Sequence, residues 1–248
     1  MTDLTGQQTC DATKALTYNT GAGFMTAAPV TEFGLAHGYA DMHAFYLAGR
    51  CGVLGDVDSD VVAAAFGFFN PEALRGIWET ALRVQPAREA ASLYTQALTA
   101  HGGPILAKVV GPERLAELIE KVVDAASPAG LPLFAGWRAA PRPSEPAARA
   151  VHAIHLLREW RGSAYVAAVS ALALDPLDAV MLNGGEGYAK FYMWPEPWGD
   201  GHGQQALSAK AEQLTDGQCA PVFEGALHPA DRGELADLLQ QAASAADG

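Results

Sequence analysis

The chain has 248 residues, half of them apolar, and a formal net charge of -12. That much apolar material excludes an intrinsically disordered chain. The acidic balance works against a nucleic-acid duplex as the main partner, because phosphates are neutralised by clustered Lys and Arg.

In chain order, residues 1–26 read as polar and glycine-containing, and Pro29 opens a short amphipathic piece up to Gly38. A helix is predicted from Ala40 to Arg50, since Met42, Phe45, Tyr46 and Gly49 share one face at helical spacing. Asp58 or Ser59 caps a helix over 59–69, and Asn70-Pro71 ends it and starts the next with proline in the first turn. Helices follow over 71–83, 86–101 and 112–126, each begun by a proline. The stretch Ser127 to Pro146 holds five prolines and two glycines and reads as the longest irregular segment. Pro146 opens a helix to Arg161, which Gly162 is expected to stop. Ser163 then caps another helix to Leu174, and a short one over 176–183 ends at Gly184-Gly185. The aromatic segment Tyr188 to Trp198 reads either as the wall or lid of a pocket or as a linker tucked onto the core. Helices near 204–216 and 229–245 close the chain. The expected fold is all-α, a single main helical domain of about ten helices over 1–185, with a small helical extension over 186–248 packed on it.

Several classes of function fall away. No stretch approaches the ~20 apolar residues of a membrane span, and Met1 to Cys10 lacks the pattern of a secretion signal. Cys10, Cys51 and Cys219 are far apart and form no zinc or disulfide framework, which suits a reducing compartment, with the cytoplasm expected. Gly184-Gly185-Glu186-Gly187 is no phosphate loop, and GxSxG is absent. No cofactor and no metal are expected. His152, His155 and Glu159 share a helix face, but two histidines and one carboxylate without an HExxH pattern make a poor metal site.

Two polar clusters remain. Arg138, Arg142, Arg149, His152, His155, Arg158, Glu159 and Arg161 form the one basic region of an acidic chain. Arginine forks match carboxylate, phosphate or sulfate, so this face reads either as an anion site or as an internal ion-pair network with Glu145 and Glu159. Asp41, His43 and Arg50, near Tyr39 and Tyr46, supply groups for proton transfer, or only a solvated helix start.

Three pieces also resemble a poorly characterised, mostly actinobacterial family often labelled winged-helix or MarR-like. They are Phe45 to Arg50 with Gly52 to Gly55; Phe66 to Pro71; and Pro132 to Arg138 leading to His152 and to Leu156 through Gly162. The resemblance implies a helix-turn-helix and wing in the C-terminal part, and a tilt towards specialised metabolism. Where the family continues with a His/Asp/His run, this chain has Trp160-Arg161-Gly162-Ser163-Ala164-Tyr165. From Glu186 onward three basic residues face ten acidic ones, unsuited to phosphates.

The leading expectation is therefore a metal-independent enzyme of natural-product metabolism, lyase- or cyclase-like. Its reaction would be an elimination or a ring closure, with strained nitrogen-ring formation and loss of an anionic group as one version. Asp41, His43 and His155 are the catalytic candidates. Arg50, Arg138, His152, Arg158, Arg161, Tyr46 and Trp137 are the substrate-binding candidates. The alternatives are a winged-helix-derived regulator or ligand sensor, and a non-catalytic partner subunit. The expected partner is a small molecule, with DNA disfavoured, no membrane, and a homodimer or partner subunit left open.

Overall fold

Helix α9, Pro146–Ala171, organises the molecule. Every side chain from Ala150 to Trp160 on it is buried. A helix enclosed on all sides has no solvent face on which to leave its polar residues, so its histidines, Arg158 and Glu159 all lie inside. The computed structural model describes residues 2–247, and those residues contain helices and no strand.

The helices preceding α9 are α1 (Gly6–Thr26), α2 (Ala28–Ala36), α3 (Met42–Cys51), α4 (Ser59–Phe66), α5 (Pro71–Ala81), α6 (Ala87–Leu106), α7 (Pro112–Ala125) and α8 (Pro132–Ala139). After it come α10 (Pro176–Phe191), α11 (Gln205–Ala226) and α12 (Pro229–Ala246). Around α9 pack α6, α7, α11, α1 and α8, while α12 lies on α1, α6 and α7.

Local chemistry explains most boundaries. Pro71, Pro112 and Pro146 stand in first turns, where the missing N–H costs nothing. Asp41, Asn70 and Asp175 cap helix starts with their side-chain oxygens. A capping box, Thr5 with Gln8, starts α1 inside the segment read only as polar and glycine-containing. Its buried stripe, Thr9, Thr13, Thr17 and Thr20, is polar by letter. Thr9 and Thr13 become compatible with burial by donating to the carbonyls four residues back.

Two other expectations change. Gly162 does not interrupt α9, because the helix is held from several sides there and one glycine costs only about 1 kcal/mol. The proline-rich stretch contains α8, whose Phe134 and Trp137 are buried against the core. Gly185 does break α10. Its φ of 59° and ψ of -152° lie where only glycine is at ease, and the chain kinks there before continuing to Phe191.

Candidate functional site

The long helix α9 crosses α1 where Gly21 leaves no side chain. A Cβ at Gly21 would collide with the aliphatic stem of Arg158, so glycine lets the arginine lie flat on α1. Beyond this contact, α1, α4, α9 and α10 diverge around a cavity of about 420 Å³. Its wall includes Lys14, Thr17 and Tyr18 from α1, Arg50 from α3, and Ala65 and Phe66 from α4. From α9 come Arg158, Arg161, Gly162, Ser163 and Tyr165; from α10 and the residue after it, Asn183, Tyr188 and Tyr192.

At the inner end Arg50 makes a two-point pair with Glu159, Nε to Oε1 at 2.7 Å and Nη2 to Oε2 at 3.2 Å. Its Nη1 donates to the Tyr46 hydroxyl at 2.7 Å, and its guanidinium stands 4.3 Å from the centre of the Phe66 ring. Burial alone would lower the Arg50 pKa, but the charge of Glu159 reverses that and holds it well above its ordinary value. For Glu159, burial pushes the carboxyl pKa up, and Arg50 outweighs it and brings the value below the usual range. This pair is charged and closed on itself.

Arg158 is held differently. It reaches Glu159 only through Nη1 at 3.3 Å, and its guanidinium lies over the Tyr18 ring at 5.0 Å. Its Nε is buried without a partner, as are Thr17 Oγ1, Ser163 Oγ and Arg161 Nε in the same wall. Buried polar atoms are satisfied in the great majority of cases, so four unpartnered atoms on residues of one cavity wall set this region apart from the rest of the interior. Arg161 already donates to Glu212 at 2.7 Å and Asp216 at 2.8 Å, and Lys14 reaches Asp216 at 2.9 Å. Near the exposed edge the hydroxyls of Tyr18 and Tyr188 meet at 2.9 Å. Burial pushes the Tyr188 pKa up to about 12, so its hydroxyl stays protonated at neutral pH and is a weaker acid than an ordinary tyrosine.

The other residues singled out in the sequence lie elsewhere. His155 is fully inside the core, its ring 4.3 Å from Trp137 and edge-on to it, with neither nitrogen partnered. Burial lowers its pKa to about 3 and that of His152 to about 4, so both rings are neutral at pH 7. Trp137 donates its indole N–H to the Arg50 carbonyl at 2.9 Å. Arg138 donates to the Ala126 carbonyl. Asp41 caps α3 through Ala44, and His43 Nε2 lies 2.9 Å from the Phe191 carbonyl. Of the ten candidates, Arg50, Arg158 and Arg161 line the cavity, and Tyr46 stands behind Arg50. Asp41, His43, Arg138, His152, His155 and Trp137 do not line it.

Sequence reasoning passed over Lys14, Thr17 and Tyr18, because the threonine-rich start of the chain gives no apolar periodicity. It did raise the aromatic segment as a wall or lid, and Tyr188 and Tyr192 line the cavity. The same segment is also tied to the core, with Trp194 Nε1 donating to the Phe68 carbonyl at 2.8 Å. No group of three or more His, Cys, Asp or Glu among the described residues is arranged to hold a metal ion. No helix among the described residues is long and apolar enough to cross a membrane.

A family model described as a helix-turn-helix family matches residues 11–247. The chain belongs to this helix-turn-helix family. The matched span contains the whole cavity wall, from Lys14 to Glu212, so the site is part of what the family comparison covers. No curated protein and no solved structure matches the chain.

Proposed function

We propose that this helix-turn-helix protein is a small-molecule sensor, in which an organic anion enters the cavity and occupancy is passed to a regulatory output. The observation that carries the reading is Arg158, a buried guanidinium with an unpartnered Nε beside an already paired Arg50 and Glu159. The route to an output is short. Helices α4 and α5 are joined by four residues, with Gly67 left-handed at φ 82° and Asn70 capping α5. That is the local form of a helix-turn-helix, and α4 lends Ala65 and Phe66 to the cavity wall. A MarR-type or winged-helix descent would fit such a ligand-responsive pair.

Charge sets the terms of any DNA contact. Residues 56–83 hold Arg75 and Arg83 against Asp56, Asp58, Asp60, Glu72 and Glu79, and Arg75 is already 3.1 Å from Asp60. Phosphate binding there would be weak and sensitive to salt. The test is a gel shift at low salt with DNA from upstream of the gene, with and without added organic acids, paired with melting curves. A ligand that raises the melting temperature and alters retardation supports the sensor. If ligands bind while DNA is never retarded, the sensor reading gives way to catalysis.

Catalysis is the second reading, favoured by the Tyr18–Tyr188 hydroxyl pair on the cavity wall. In an elimination, or a ring closure that expels an anionic group, Arg158 would pair with the departing anion, and the tyrosine hydroxyls would pass the proton lost by the substrate to solvent at the exposed edge, each giving up one proton as it takes one. Asp41, His43 and His155 lie off the wall, so they enter this reading only as supports of the surrounding core.

A further inference from the structure

Helices α3 and α9 bring two guanidiniums and one carboxylate into a single buried cluster. Arg50 occupies both oxygens of Glu159, and Arg158 shares only one of them, at 3.3 Å. The cluster therefore holds one positive charge more than negative. Arg158 is 8 % exposed, and a buried ion without its own counter-charge opposes folding. The neighbouring carboxylates do not supply that charge, since Glu212 and Asp216 are engaged by Arg161 and Lys14. A purely structural cluster has no need of this second arginine, because Arg50 and Glu159 already balance.

We propose that the cavity takes a monocarboxylate with a flat apolar body, its carboxylate docked on Arg158. The proposal rests on the cavity's being a ligand site and adds the ligand's charge and shape. One negative charge completes the cluster, whereas a dianion would overshoot it beside Glu159. A planar two-oxygen group also matches the guanidinium fork. The body of the ligand lies among Phe66, Val180, Tyr165 and Tyr192, which present rings and an aliphatic side chain on the cavity wall. Thr17 and Ser163, whose hydroxyls lack partners, stand in the same wall.

The test uses the full chain with three probes that share a naphthyl body: 2-naphthoate, the neutral and equally planar 2-naphthamide, and 2-naphthyl phosphate, whose head is dianionic and tetrahedral. Calorimetry should show naphthoate binding roughly 10- to 100-fold more tightly than either of the others, the range expected for a charge-assisted hydrogen bond. Arg158→Met should reduce naphthoate to the affinity of the amide. Arg158→Lys, which keeps the charge and loses the fork, should fall between. The ligand-free Arg158→Met protein should melt at or above the parent temperature, because it retains a matched Arg50–Glu159 pair. A lowered melting temperature would mean that Arg158 is there for structure, and the proposal would be overturned. Equal affinity for all three probes, or unchanged naphthoate binding by Arg158→Met, overturns the charge assignment and leaves a ligand cavity standing. No heat and no thermal protection from any probe at millimolar concentration sinks the cavity reading as well.

Discussion

Helix α9 carries two polar stripes side by side with opposite fates. His152 and His155 face α8 and the core, where Trp137 packs against both rings. Arg158, Arg161 and Ser163 lie on the cavity wall, together with Gly162 and Tyr165. The two sets follow one another directly along the same helix. One stripe has been neutralised by burial, and the other has kept its charge through contacts with carboxylates while leaving Arg158 Nε, Arg161 Nε and Ser163 Oγ without partners. Polar density along a sequence therefore marks a region without saying which of its residues face an occupant; helical phase and the neighbouring helices decide that.

The comparison is broken most directly at Glu159, whose hydrogen bonds all go to the arginines. Glu159→Gln leaves two guanidiniums buried with no anion, and chemical denaturation should show a loss of about 3–5 kcal/mol. The neutral stripe is probed by acid. A histidine whose folded pKa lies below its unfolded value leaves stability intact above pH ~6.5, where neither state takes up protons. As the pH falls, the unfolded chain is protonated first, and stability declines until about 4 for His152 and about 3 for His155. Between pH 7 and 5 the expected loss is about 2 kcal/mol for each ring. Denaturation midpoints across that range should flatten in His155→Leu. Glu159, with its folded pKa lowered, adds its own loss only below the ordinary carboxylate range.

Two milder substitutions sharpen the contrast from the cavity side. Gly162 lies on the cavity wall with open space where a Cβ would stand. Gly162→Ala should add about 0.5–1 kcal/mol through helix propensity, read as a higher denaturation midpoint. Gly162→Phe should occupy the cavity and abolish thermal protection by ligands while the chain still folds. Retained protection in that variant would place the ligand elsewhere. At the surface, Arg75→Ala breaks an ion pair to Asp60 between two exposed side chains and should change stability by less than about 1 kcal/mol.

Much of the helical architecture was legible because its signals are local. Pro71, Pro112 and Pro146 open helices at the expected positions, and the final helix, expected over 229–245, runs Pro229–Ala246. The misses have tertiary causes. Helix α1 hides a buried face made of threonines, which becomes interior only because α11 and α12 cover it. Helix α9 runs through Gly162 because its neighbours hold it, and α8 forms among prolines because Phe134 and Trp137 have a core to enter. For the site, the arginine cluster was visible as an anion face. Its partners from α1 were not, since Tyr18 and Arg158 are 140 positions apart and meet only through the Gly21 crossing.

The kink at Gly185 has an evolutionary consequence. The inner half of the cavity, where Arg50 and Arg158 are backed by Glu159, is embedded in the core, so substitutions there also act on stability. The outer half hangs on α10, whose backbone comes close to α11 more than to any other helix, and which turns on a residue with no side chain. Asn183 and Tyr188 stand on either side of that turn. Descendants could exchange these residues, or re-angle the segment beyond the turn, and acquire new ligands without disturbing the buried charges. Diversity among relatives should therefore gather on α10, while Arg50 and Glu159 change together or not at all.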